Sequence, residues 1–293
     1  MLALLKGDLY RARHIRGNVF WYVVVLLVVA LGNVAVAAIF GQSFNEAFAQ
    51  TAAEMGTTDT IDMFANFSTP TNFLGHALMS FGVLTILACF STTDFCWTEM
   101  RDGFAKNTIT AVGKKAYFTE KLIFALIISF VFAFVGTALS LVMLVLFGIS
   151  LAAAESVAHV VVWMLLVTLI TWACCCVCLV VLWAAKNQVI AYLVGFLLAT
   201  GALSQVLGAV CMFIPNAEWL LDVYNAVIEW LPRNAVALLN TGVPGATEIL
   251  GQPSVQAGVS LAGDVIGRIV VISGVMVVAA FVAAIAFVTK RDF

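Results

Sequence analysis

The sequence predicts an all-α polytopic membrane protein, and two observations carry that prediction. Apolar residues make up 63% of the 293-residue chain while Asp, Glu, Lys and Arg together make up 10%, far more apolar surface than an aqueous fold can hide. That surface is gathered into six nearly uncharged stretches, 19–40, 74–93, 122–149, 160–185, 189–214 and 269–288. A helix needs about 20 apolar residues to cross a hydrocarbon core of roughly 30 Å. Continuous apolar runs lack the alternation of a barrel strand, and backbone groups in lipid must be hydrogen-bonded within their own segment, so the spans are read as helices.

Residues 1–18 precede the first span. At about 100° per residue, Leu2, Leu5, Leu9 and Ala12 share one face while Lys6, Tyr10, Arg11 and His14 lie opposite. That pattern predicts a helix lying in the membrane interface. The run 19–40 exceeds the apolar region of a secretory signal, about 7–15 residues, and is read as a retained anchor. It opens helices 1 and 2 of region 19–93, joined by a segment without Lys or Arg. Region 94–121 mixes Glu99, Arg101, Asp102 and Glu120 with Lys106, Lys114, Lys115 and Lys121, which predicts a helix or two beside the bilayer.

Helices 3 to 5 occupy 122–214. In region 215–268, Trp219, Leu220, Val223, Val227 and Trp230 recur at helical spacing before Leu231-Pro232. An amphipathic helix is expected there, lying in the outer interface or dipping back into the membrane between helices 5 and 6. Helix 6 and a basic tail fill 269–293. Within this outer segment Trp219, Val223, Trp230 and Pro232 are candidates for an outer gate, because Trp prefers the headgroup level.

If the spans alternate, all but Arg233 and Arg268 of the 14 basic residues fall on one side, and the opposite loops carry carboxylates from Glu46 to Asp264. The positive side is the cytoplasm, with both termini inside. A net charge of −2 and a pI near 5.9 conceal this asymmetry and give no reason to expect nucleic acid.

The spans argue against several functions. Ion-coupled carriers keep ionisable groups at membrane depth, and none stands inside these runs; Asn33 reads as an interhelical hydrogen bond. No Ser-His, paired Asp or His-Glu set for intramembrane proteolysis occurs. Gly113-Lys114-Lys115 lacks the earlier Gly and the following Ser or Thr of a phosphate-binding loop, so the chain is read as non-enzymatic, with ATP used by another polypeptide. Cys174, Cys175, Cys176 and Cys178 cluster, but neighbours on a helix point about 100° apart and do not converge on a metal. Cys89, Cys96 and Cys211 imply no disulfide framework. His76 and His159, at the outer ends of two spans, read as solvated. Gly136 with Ser140, Gly195 with Ala199, and Gly263 with Gly267 allow close helix packing.

Asp94-Phe95, Glu99-x-Arg101-x-Gly103, Lys106-Asn107, Gly113-Lys114-Lys115-x-Tyr117 and Lys121, in that order before the third span, resemble the membrane subunit of type-2 ABC exporters. An interfacial first helix, six spans, Trp230-Leu231-Pro232 between the last two and the basic end Lys290-Arg291-Asp292-Phe293 agree, so the resemblance covers nearly the whole length. A Pro and an Arg common in the family's inner loop are replaced here by Ala111-Val112 and Lys114.

The resemblance implies a non-catalytic permease subunit in the plasma membrane that exports a hydrophobic or amphipathic substrate such as a peptide antibiotic, drug or lipid. It implies two copies of an ATPase subunit holding ATP and Mg, and a second permease as homodimer or heterodimer, in a bacterial cell membrane. Asp94, Glu99, Arg101, Gly103, Phe104, Lys106 and Asn107 are then the ATPase-coupling residues: Glu99 and Arg101 in ion pairs across the contact, Phe104 as its anchor, Gly103 for close approach. A membrane-embedded assembly or sensor protein without cargo is the alternative reading, and a co-purifying ATPase separates the two.

Overall fold

A computed structural model of the chain describes residues 2–14, 20–32, 70–79, 82–146, 156–202, 230–232 and 263–290. The described residues are all-helical apart from turns and caps. In chain order they form α1 (Leu2–His14), α2 (Phe20–Gly32), α3 (Pro70–Leu74), a π-helical turn (Gly75–Met79), α4 (Val83–Arg101), α5 (Phe104–Val112), α6 (Lys114–Leu146), α7 (Val157–Ala185), α8 (Gln188–Thr200) and α9 (Gly263–Lys290).

Three of these are long and apolar enough to cross a membrane, over Lys114–Met143, Val157–Ala185 and Val265–Ala286, as expected of a membrane-embedded protein. Phe20–Gly32 and Gln188–Thr200 are shorter apolar helices. The remainders of the runs 19–40 and 189–214 lie outside the described residues.

The stretch 74–93 is not the single helix that its apolarity predicts. It consists of the end of α3, the π-helical turn and the start of α4, with Gly82 between them in the left-handed region at φ 62°. A Cβ on Gly82 would fall 2.3 Å from the Ala199 carbonyl oxygen, so the chain turns where the end of α8 presses against it. Apolarity reports burial, and burial does not require an unbroken helix. Past this turn α4 runs without interruption through Thr93 and Asp94 to Arg101, so the helix expected in region 94–121 begins as a continuation of the helix before it.

α7 is the centre of the bundle and packs against α4, α6, α8 and α9. A helix that is apolar on every side is buried on every side, and 67% of the spanning part of α7 is buried against 33% for α9. Its four thiols are small enough to face different neighbours, and all four are buried. The outer face of α9, with Val271, Val275, Val278 and Val282, remains exposed.

Small residues set the closest approaches. A Cβ on Gly195 of α8 would lie 3.1 Å from the Cys178 Sγ of α7 and 3.2 Å from the Cys89 Cβ of α4. Some polar side chains inside the bundle bond to their own helix, as when Thr92 and Ser129 donate to the Ala88 and Ala125 carbonyls at 2.9 and 2.8 Å. The α7–α8 connection is short: Lys186 takes the left-handed C-cap at φ 49°, and the Asn187 side chain accepts from the Val189 amide at 2.9 Å.

Candidate functional site

The segments richest in basic residues meet at one end of the bundle. α1 packs on α6, and α5 joins α4 to α6 through the turns at Gly103 and Gly113. Phe118 of α6 meets Trp183 of α7 edge-on, with ring centroids 4.4 Å apart. Two polar constellations are built at this foot.

The first centres on Asp94. Tyr22 of α2 and Gln188 and Tyr192 of α8 all donate to its carboxylate, and the Tyr192 ring lies 4.4 Å from Phe90. One charged acceptor thus ties three helices together through charge-assisted bonds.

The second is a buried ion network around Lys121. Its ammonium donates to Asp8 and to Glu99, the latter at 2.9 Å to Oε1, and stands 3.5 Å from the Glu120 carboxylate. Arg11 donates to Glu99 and lies 3.6 Å from Asp8, and the Tyr117 hydroxyl donates to Glu99 at 2.8 Å. Aromatic rings wall the site: the Arg11 guanidinium sits 4.2 Å from the Phe104 centroid, and Phe95 stacks on Phe124 at 4.6 Å. Lys121, Glu99 and Glu120 are each 0% exposed. Desolvation offsets most of the attraction in such a network, so its chief consequence is geometric: removing one partner leaves a buried charge unpaired.

The face that α1 turns inward differs from the apolar face expected of it. Leu4, Leu5 and Ala12 pack on the core, with Asp8 buried among them and Arg11 on the same stripe, while Leu9 and Tyr10 face outward. Residues 4, 8, 11 and 12 share a helical face by their three- and four-residue spacing. Apolarity alone passed over it, because Asp8 and Arg11 look like solvent-facing residues until Glu99 and Lys121 arrive from elsewhere in the chain.

The expected coupling residues therefore separate into two groups. Asp94 and Glu99 face inward, so the carboxylate of Glu99, expected to pair across a contact with another chain, pairs within this one. Arg101, Gly103, Phe104, Lys106 and Asn107 form an exposed turn at the start of α5. Gly103 supplies the left-handed N-cap at φ 75°, Arg101 lies 3.1 Å from Asp102, and Phe104 remains 42% exposed although Arg11 lies over its ring. Because Asp8, Glu99 and Glu120 are turned inward, the exposed charges at this foot are mainly Lys6, Arg101, Lys106, Lys115 and Lys186 against Asp102, a positive surface among the described residues.

Of the outer-gate candidates, Trp219 and Val223 lie outside the described residues, Trp230 is exposed and Pro232 is buried. Cys175 and Cys89 bring their sulfurs to 3.7 Å, and among the described residues no group of three or more His, Cys, Asp or Glu side chains is placed to hold a metal ion. No family model matches the chain, and neither does any curated protein.

Proposed function

We propose that the chain is the permease subunit of an ATP-binding cassette exporter, forming with a second permease the pathway for a hydrophobic or amphipathic substrate. The observation that carries this reading is the exposed Arg101–Asn107 turn mounted on a braced foot. α4 enters the turn directly, α6 leaves it one short helix later, and the buried Lys121 network ties both helices to α1. α6 has 33 residues, about 50 Å of helix, which exceeds a roughly 30 Å hydrocarbon core. A push on such a turn moves two long helices together.

In this reading the foot is cytoplasmic, in keeping with its positive surface, and two ATPase subunits holding ATP and Mg receive the turn. The chain crosses a bacterial plasma membrane six times, the broken α3–α4 stretch serving as one span. The segment bearing Trp219, Val223, Trp230 and Pro232 gates the outer end.

The test is charge reversal on the turn. Co-purification from the native membrane should recover an ATPase with this chain. Arg101→Glu with Lys106→Glu should then reduce ATPase recovery and permease-dependent ATP hydrolysis by at least about tenfold, as like charges come to face each other, while helix content stays unchanged. Full recovery and full hydrolysis in the double variant would refute the proposal.

A further inference from the structure

Charge does not balance at the α1 seat. Asp8, Glu99 and Glu120 converge on Lys121, with Arg11 as the second cation, so three carboxylates face two positive groups. Glu99 is fully served by Lys121, Arg11 and Tyr117, and Asp8 by Lys121. Glu120 is different: it is 0% exposed, and neither of its oxygens has a hydrogen-bond donor. Its carboxyl group stands 3.5 Å from the Lys121 ammonium, the same group that donates to Asp8, so the two carboxyl groups flank one cation. Two adjacent buried carboxylates repel and leave lone pairs unmatched, whereas one proton between them removes the excess charge and supplies the missing donor.

We propose that Glu120 is a proton-binding site, and that the proton it shares with Asp8 keeps α1 seated against α4 and α6. The proton comes from water and returns to it; no bond to carbon is made or broken. The titratable groups around Glu120 are Asp8 from α1, Glu99 and the Cys96 thiol from α4, and Lys121 from α6 itself, while Arg11 and Tyr117 bond Glu99 in the same network. Lys121 already occupies the centre of the site, so a proton, rather than a larger cation, fits the space beside it. When α1 lifts, Glu120 becomes hydrated and ionises in the ordinary carboxylate range. The seated state therefore binds one more proton than the lifted state, and by linkage seating is strongest at low pH and weakens as pH rises.

This proposal concerns α1 and stands apart from any ATPase. Its test is hydrogen exchange of the full chain in lipid nanodiscs from about pH 6 to about pH 9, corrected for intrinsic exchange rates. The protection factor of α1 should fall about tenfold per pH unit while the seated state holds the extra proton, and level off once that proton is lost. Glu120→Gln, whose amide is a permanent neutral donor to Asp8, should keep α1 protected throughout. Infrared spectra should show the carbonyl stretch of a protonated carboxyl in the native chain, fading as α1 loses protection and missing from Glu120→Gln. Should that variant fail to fold, the native exchange profile and infrared band decide the matter on their own. Constant protection of α1, the same pH dependence in Glu120→Gln, protection that follows sodium or potassium rather than pH, or no such infrared band would each overturn the proposal.

Discussion

Replacing Lys121 with Met probes the foot most directly. The side chain is 0% exposed, and its ammonium donates to Asp8 and Glu99 and stands 3.5 Å from the Glu120 carboxyl group. Methionine keeps much of the volume, so little of the effect comes from a cavity. Loss of the charge leaves three buried acidic groups with Arg11 as their remaining cation in the network. Removing one partner of a buried ion pair costs about 3–5 kcal/mol, or about two to three and a half powers of ten in the folded-to-unfolded ratio. Equilibrium unfolding in mixed detergent micelles, followed by far-ultraviolet circular dichroism, measures the loss. Lys106→Met, at an exposed position of α5, is the control and should stay within about 0.5 kcal/mol of the native chain. Adding Glu99→Gln to Lys121→Met should recover part of the loss, with a coupling of about 0.5–3 kcal/mol. If Lys121→Met loses no more stability than Lys106→Met, the buried network does not exist as described.

Three glycines and one polar node yield further expectations by the same unfolding assay. Gly82→Ala should cost more than about 2 kcal/mol, since left-handed backbone costs alanine about 1–2 kcal/mol and the new Cβ would also meet the Ala199 oxygen at 2.3 Å. Gly103→Ala, left-handed but with nothing within 4 Å of its Cβ, should show the backbone cost alone. Gly195→Val should cost about 1–3 kcal/mol by overpacking against Cys178 and Cys89, and Cys178→Ala should relieve part of that. Asp94→Asn and Tyr22→Phe should be non-additive by at least about 0.5 kcal/mol; strict additivity would mean that Tyr22 does not serve Asp94.

The sequence by itself determined the solvent of this protein and the helical character of its described segments. Long apolar runs without charge admit few other solutions, because lipid forbids unpaired backbone. It also determined where charge collects: residues 1–18, region 94–121 and Lys186 stand apart in the chain, and their described parts meet at one foot. Helix boundaries followed apolarity closely for α7, expected at 160–185 and found at Val157–Ala185. They failed at 74–93, because the contact between Gly82 and Ala199 joins residues more than a hundred positions apart and no local pattern reports it. The functional residues divided for the same reason. Arg101, Phe104, Lys106 and Asn107 stand exposed, where a charged turn places them, whereas Asp8, Glu99, Glu120 and Lys121 look equally solvated in the sequence. Only the tertiary structure decided that these four are buried, because a charge leaves water when its partners arrive from other helices, and the identity of those partners is a property of the packing.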